Sequence, residues 1–112
     1  MSTPKEKAGK PQMHLLPLDI LAETLCPAYE EGLLKYHEES WREGFPVSDL
    51  VDATLRHISD FKDKGETYNR EAFEKYGIKK ENIGAAIFNL LCIAQTMREH
   101  PELDNRIIKK DL

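Results

Sequence analysis

The strongest constraint on the fold is an apolar stripe with helical spacing in the last third of the chain. Its members are Ile83, Ala86, Ile87, Leu90, Leu91, Ala94 and Met97. Residues three and four positions apart share one face of an α-helix, so the stripe predicts a helix from about Lys80 to Glu99. Proline cannot continue a helix, and His100-Pro101 should therefore end it. A face this broad must be covered by other elements of the fold.

A second helix is predicted near the start of the chain, from Pro17 to the acidic pair Glu38-Glu39. Proline is tolerated in the first turn because its missing backbone donor is not needed there. Pro27 lies inside the same pattern, where it removes a hydrogen bond and clashes with the preceding turn. We therefore expect a kink or a break near Cys26.

A third long helix is predicted from an N-cap at Ser48 to about Lys62, and a short one from Asn69 to Tyr76. The apolar stripe of the third long helix is Val51, Leu55 and Ile58. Gly77 suits the left-handed conformation that often follows a helix. No segment alternates with the period of a β-strand. The prediction is an all-α fold, a small helical bundle of three long helices and a short one.

The length of 112 residues predicts one domain with a modest core, which favours assembly into an oligomer. We expect a flexible tail at residues 1–12, because these residues offer little apolar surface to bury. The helical domain should span residues 13–100, and a polar tail should follow at residues 101–112.

Composition argues against several classes of function. A net charge of −4 disfavours binding to nucleic acid, whose phosphates attract a basic surface. No apolar run approaches the roughly 18 residues of a membrane span, and no signal peptide is recognisable. Cys26 and Cys92 lie in apolar helical patterns without a paired spacing, so they are predicted to be buried free thiols. The scattered histidines argue against a zinc site, and the protein is expected in the cytoplasm.

Residues that suit a charged small molecule are concentrated between Tyr29 and His57. Mg²⁺ takes oxygen ligands, and acidic residues lie in or beside the two helices of this stretch. These acids are Glu30, Glu31, Glu38, Glu39, Asp49, Asp52 and Asp60. Two or three of them on facing helices could hold Mg²⁺ against a phosphate chain. The alternative is that they are solvated surface groups.

Cationic and aromatic residues in the same stretch have two interpretations as well. Lys35 and Arg56 could pair with phosphate oxygens, while Tyr36 and Trp41 could stack on a base. Asp52 and Arg56 are also spaced as an ordinary helix ion pair. A lone tryptophan in a short loop often packs against the bundle instead of a ligand.

Five short motifs then carry a resemblance to a known family. They are Lys10-Pro11 with Leu15-Leu16-Pro17, Gly32-x-x-Lys35-Tyr36, Trp41-x-x-Gly44, Ala53-x-x-Arg56-His57 and Asn89-Leu90-Leu91. In their order and spacing they resemble the dATP/dGTP diphosphohydrolase N-terminal family of phages and bacteria. That family is similar to the MazG-like all-α nucleoside triphosphate pyrophosphatases. The resemblance covers about residues 10–96, with an insertion around residues 67–79.

The resemblance implies a Mg²⁺-dependent pyrophosphohydrolase of (deoxy)nucleoside triphosphates that assembles as a homo-oligomer, in the host cytoplasm if it is phage-encoded. Water would attack the α-phosphorus and release a nucleoside monophosphate and pyrophosphate. The candidate metal ligands are Glu30, Glu31 and Asp52. The candidate substrate contacts are Lys35, Tyr36, Trp41, Arg56 and Asn89, with His57 as the candidate catalytic base.

The last helix departs from the pattern expected of such enzymes. Pyrophosphatases of this type carry Glu-x-x-Asp there, whereas this chain reads Glu81-Asn82-Ile83-Gly84-Ala85 with no second carboxylate. Asn82 and Ala85 stand where relatives often have histidine, and Ser40 replaces the asparagine that usually precedes the tryptophan. Two hypotheses therefore remain. One is the hydrolase, and the other is a non-catalytic helical module that binds a nucleotide or a protein, such as a phage accessory factor.

Overall fold

The computed structural model describes residues 9–112, and the regular structure of that part of the chain is helical throughout. Three long helices and a short one are joined by loops that contain turns of 3₁₀ helix. The helices are α1 (Leu18–Lys35), α2 (Val47–Lys62), α3 (Arg70–Tyr76) and α4 (Asn82–Glu99), and the 3₁₀ turns are Met13–Leu15, Ser40–Glu43 and Pro101–Leu103. The predicted all-α fold is confirmed. Residues 1–8 of the predicted tail lie outside the described residues.

The prediction near Cys26 was a kink or a break. α1 runs through Pro27 without interruption, so the break does not occur, while the kink stays a prediction. Proline cannot donate to the carbonyl of Glu23, but Glu23 is exposed and water can reach that group. The helix ends at Lys35, before the acidic pair Glu38-Glu39 where its end was predicted. The chain therefore enters the following loop earlier than the apolar pattern suggested.

α2 buries a different face from the one that its sequence favoured. The side chains of the predicted stripe, Val51, Leu55 and Ile58, are 38%, 59% and 39% exposed. The buried residues are Val47, Leu50 and Thr54, and the centre of this set lies about 70° around the helix from the centre of that stripe. Thr54 is tolerated there because its hydroxyl donates to the Leu50 carbonyl at 2.7 Å. The predicted N-cap at Ser48 is also wrong, because Pro46 precedes the helix and offers no side-chain cap.

α4 packs against both α1 and α2 and forms the centre of the bundle. Its buried residues are small or polar: Asn82, Gly84, Ala85, Ala86, Cys92 and Thr96. A Cβ atom at Gly84 would overlap the backbone carbonyl oxygen of Thr24 and lie 3.1 Å from its carbonyl carbon. The missing side chain therefore lets α1 cross α4 at close range. Leu90 and Leu91 of the predicted stripe remain exposed.

α3 and its flanking loops place Lys80 beside α1. The Asn69 side chain accepts a backbone N–H of the first turn at 2.9 Å, and Gly77 has a φ of 68°, so both predicted caps are confirmed. The two ends of this segment pair through their backbones. The N–H of Asn69 donates to the Lys80 carbonyl at 2.7 Å, and the N–H of Asn82 donates to the Thr67 carbonyl at 2.9 Å. This pairing fixes the backbone of Lys80 at the start of α4.

Residues 100–106 fold back over the loop between α1 and α2. The Nε2 atom of His100 donates to the carbonyl of Arg42 at 3.1 Å. The backbone N–H of Ser48 donates to Asn105 Oδ1 at 2.9 Å, and Asn105 Nδ2 donates to Ser48 Oγ at 2.8 Å. These bonds anchor the loop and the first turn of α2 to a distant part of the chain.

Two further expectations can be compared with the structure. Cys26 and Cys92 are both free thiols, as predicted, but Cys26 is exposed and only Cys92 is buried. The predicted burial of Cys26 is therefore wrong, because the apolar face of α1 is not covered at that position. Within residues 9–112, every helix is too short or too polar to cross a membrane.

Candidate functional site

A cavity of about 250 Å³ opens between the second half of α1, the loop that follows it, and the facing sides of α2 and α4. α2 contributes Ala53 and His57 to its wall, and α4 contributes Ala85, Phe88 and Asn89. Most of this wall is apolar, with a few polar groups that converge on it. Concave sites of this kind are the usual form of small-molecule sites.

Three charged side chains meet on the cavity wall. The Oε1 atom of Glu31 accepts a hydrogen bond from Lys80 Nζ at 3.0 Å and forms an ion pair with Lys35 Nζ at 3.1 Å. The Glu31 and Lys80 side chains are only 8% and 11% exposed, so this pair is largely removed from water. Burial alone would raise the pKa of the Glu31 carboxyl, but the hydrogen bonds and charges of the two lysines outweigh it. The pKa lies below its usual value, and Glu31 is ionised at neutral pH.

An aromatic cluster forms another part of the wall. The Tyr29 ring lies 5.6 Å from the Trp41 ring and 4.8 Å from the Phe88 ring, both in edge-to-face contact. The guanidinium of Arg42 lies 4.6 Å from the centre of the Trp41 ring, within the range of a cation–π contact. Tyr36 also lines the cavity and is exposed. Trp41 therefore packs against α1 and faces the cavity at the same time.

The two ring nitrogens of His57 have different surroundings, and a contact with Asn82 fixes which of them carries the proton. Its Nδ1 lies 3.0 Å from Asn82 Oδ1. The Asn82 amide is oriented by its Nδ2, which donates to the carbonyl of Glu66 at 2.9 Å, so Oδ1 is the atom that faces His57. A carboxamide oxygen can only accept, and Nδ1 must therefore carry the proton. In the neutral ring this leaves Nε2 as the basic nitrogen.

The structure brings six of the nine predicted site residues to one cavity. They are Glu31, Lys35, Tyr36, Trp41, His57 and Asn89. Glu30, Asp52 and Arg56 are exposed and do not line it. Asp52 and Arg56 sit one position before Ala53 and His57 on α2, so the helix turns them away from the cavity. The roles predicted for all nine residues stay predictions.

Sequence reasoning missed Lys80 and the part played by Asn82. Lys80 looks like one of many surface lysines, yet its ammonium reaches a carboxylate 49 residues away. Asn82 was noted only as a replacement for histidine, and its contact with His57 was not anticipated. The one available signal was the polar run Lys79-Lys80-Glu81-Asn82 at the start of the strongest helical pattern.

The three candidate metal ligands do not come together within one chain. Glu31 is already bound by two ammonium groups, while Glu30 and Asp52 are exposed outside the cavity. Across residues 9–112, no three His, Cys, Asp or Glu side chains are grouped closely enough to hold a metal ion. Mg²⁺ prefers several oxygen ligands in octahedral geometry and would be repelled by both ammonium groups. The residues of one chain therefore do not fit a resident magnesium ion.

Comparison with protein families gives a match over residues 2–106 to the family described as dATP/dGTP diphosphohydrolase, N-terminal. The matched segment includes every residue of the cavity wall. No curated protein and no solved structure matches the chain.

Proposed function

Because the chain belongs to the dATP/dGTP diphosphohydrolase N-terminal family, we propose that it hydrolyses a (deoxy)nucleoside triphosphate to the monophosphate and pyrophosphate. The observation that carries this proposal is the composition of one cavity. Lysine ammonium groups, an aromatic cluster and a histidine with a free basic nitrogen all face it. The ammonium groups can bind the phosphates, the aromatic rings can stack on the base, and the histidine can take a proton from the attacking water.

Substrate binding follows from the charge and shape of the wall. Lys35 lies beside the cavity with an ammonium that can donate to phosphate oxygens. Trp41 and Tyr36 offer aromatic surfaces for a base. The side-chain amide of Asn89 can donate to and accept from the edge of a purine, which suits the dATP and dGTP of the family name.

In the proposed reaction His57 acts as the general base. Nε2 takes a proton from water, whose oxygen attacks the α-phosphorus. The bond between the α-phosphorus and the oxygen bridging to the β-phosphate breaks, and pyrophosphate leaves with that oxygen. The resulting imidazolium keeps its Nδ1–H bond to Asn82. The predicted Mg²⁺ requirement remains a proposal, in which the ion enters bound to the triphosphate as part of the substrate.

We also propose that the protein is a homo-oligomer. Val51, Leu55 and Ile58 form an exposed apolar stripe on α2, with Asp52 and Arg56 beside it. Exposed apolar patches mark interaction surfaces, and a second copy would cover this one. Light scattering should then give at least twice the chain mass of 12.9 kDa, and Leu55→Glu should lower it. A wild-type monomer at high concentration would contradict this proposal.

The hydrolase proposal is tested by incubating the protein with each dNTP and Mg²⁺ and measuring pyrophosphate and monophosphate. His57→Ala should lower kcat by about 10²–10⁴-fold with little change in nucleotide binding. His14→Ala is the matched control, because His14 is exposed and does not line the cavity.

The outcome separates the two hypotheses. If no nucleotide is hydrolysed but nucleotides raise the melting temperature, the non-catalytic nucleotide-binding module is supported instead. If there is neither turnover nor a thermal shift, both the hydrolase hypothesis and the nucleotide-binding hypothesis are wrong.

A further inference from the structure

We propose that Lys35 and Lys80 bind the phosphate chain directly, with Glu31 as their fixed counter-ion, so that nucleotide binding needs no divalent cation. This inference rests on the proposed function, because it specifies how the same cavity holds a triphosphate. It gives Glu31 a role that differs from its predicted role as a metal ligand. Glu31 then positions two cations and does not bind a third.

The geometry of the two lysines supports this role. Both ammonium groups approach the same Glu31 oxygen, Lys80 at 3.0 Å and Lys35 at 3.1 Å. Each ammonium has three donors, and among residues 9–112 the bond to Glu31 is the only one recorded for either group. Donors therefore remain on both ammonium groups for phosphate oxygens.

Lys80 is held in place from two directions. Its carbonyl accepts the N–H of Asn69 at 2.7 Å, which fixes the backbone, and its ammonium is fixed by Glu31. The side chain is 11% exposed, so little rotamer freedom is left to lose when an anion binds. A preorganised cation on a cavity wall suits an anionic ligand better than a mobile surface lysine does.

The charge balance of the wall also favours a phosphate over a metal ion. Two ammonium groups face one carboxylate, which leaves one net positive charge. Glu31 and Lys80 are largely removed from water, whereas the Lys35 side chain is 35% exposed. The other acid on the wall is Glu38, which is exposed. His37, also on the wall, lies 2.7 Å from Glu43. A dication at Glu31 would have to displace or repel both lysines, whereas a phosphate chain adds the negative charge that they lack.

The decisive measurement is calorimetric binding of a non-hydrolysable α,β-imido dATP or dGTP to the full chain, in EDTA and in Mg²⁺. We expect the dissociation constant in EDTA to be equal to or lower than that in Mg²⁺, because Mg²⁺ neutralises the phosphates that the lysines recognise. Binding that is lost in EDTA and restored by Mg²⁺ would overturn the inference and leave the proposed function standing. Absence of binding in both buffers would overturn both.

Two variants separate a counter-ion from a metal ligand. Glu31→Gln should change the affinity for the analogue by the same factor in EDTA and in Mg²⁺, because Glu31 acts on the lysines and not on the ion. A loss of tenfold or more that is confined to the Mg²⁺ buffer would identify Glu31 as a metal ligand and refute the inference. Lys35→Met should weaken binding about tenfold or more in EDTA, as expected for loss of a charged hydrogen bond.

The controls deal with folding and with general charge effects. Glu31→Gln leaves Lys80 buried without its partner, so its melting curve must be recorded first. If that variant is unfolded, Lys35→Met still tests whether the lysines bind the phosphates. It keeps the buried bond between Glu31 and Lys80 and should therefore remain folded. Lys75→Met is the matched control, since Lys75 pairs with Glu71 on the surface and does not line the cavity. Equal weakening in Lys35→Met and Lys75→Met would refute a specific site.

Discussion

The crossing of α1 and α4 at Gly84 gives the sharpest test of the fold. In Gly84→Ala, the new Cβ would overlap the carbonyl oxygen of Thr24 and lie 3.4 Å from its Cγ2 atom. The threonine side chain can rotate, but the carbonyl belongs to a helix backbone and cannot move alone. Relief of the overlap therefore requires α1 to separate from α4 along the whole contact.

The size of the effect follows from two opposing contributions. Overpacking of a well-packed interior costs about 1–3 kcal/mol, and the upper end applies because the obstructing atom is backbone. Alanine is better than glycine in a helix by about 1 kcal/mol. We therefore expect a net loss of about 2 kcal/mol in the free energy of unfolding. For a domain of this size that lowers the melting temperature by roughly 8 °C.

Gly32→Ala is the matched control for this experiment. Gly32 is also helical, but a Cβ built there meets no atom within 4 Å. It should therefore gain up to about 1 kcal/mol from helix propensity alone. Circular dichroism melts and urea titrations of both variants measure the two changes. If Gly84→Ala is as stable as wild type, α1 does not cross α4 in the way described.

Two further predictions concern titration and thiol reactivity. Hydrogen bonds from Arg106 at 2.8 and 2.9 Å hold the pKa of Asp104 at about 2, below its usual 3.8. The resulting stability is present above pH 4 and lost as the pH falls toward 2, so the melting temperatures of wild type and Asp104→Asn should converge over that window. Burial raises the pKa of the Cys92 thiol to about 11, so Ellman's reagent at pH 8 should label one thiol quickly, Cys26, and the second only after denaturation. Two fast thiols in the native protein would contradict the packing of α4.

Helices could be predicted from the sequence more reliably than the faces that they bury. The patterns predicted all four helices, and Asn69 and Gly77 marked the ends of α3. On α2, however, the predicted stripe and the residues that are buried lie only about 70° apart around the helix. The choice between them depends on how α4 approaches, which no local pattern encodes. The helix continues through Pro27 for a related reason, because the exposed side of α1 can leave a carbonyl to water.

The candidate site was predictable where it is built from neighbours in sequence. Glu31, Lys35 and Trp41 are close along the chain, and one helix and one loop bring them to the same wall. Lys80 could not be predicted in this way, because it is the backbone pairing on either side of α3 that places it beside Glu31. Arg56 is the opposite case, a residue that the sequence favoured but that does not line the cavity. Its residue type suits phosphate, but the orientation of α2 turns it to solvent.

The bonds between Asn105 and the first turn of α2 have a consequence for the order in which the molecule is made. Asn105 bonds to Ser48 across 57 residues of chain. At roughly 5–20 residues per second of synthesis, Ser48 is made about 3–11 s before Asn105. During that interval Lys80 and the α4 wall are also missing for part of the time. The cavity is therefore completed late in biosynthesis, and any ligand that it binds could stabilise the finished fold but could not guide its first steps.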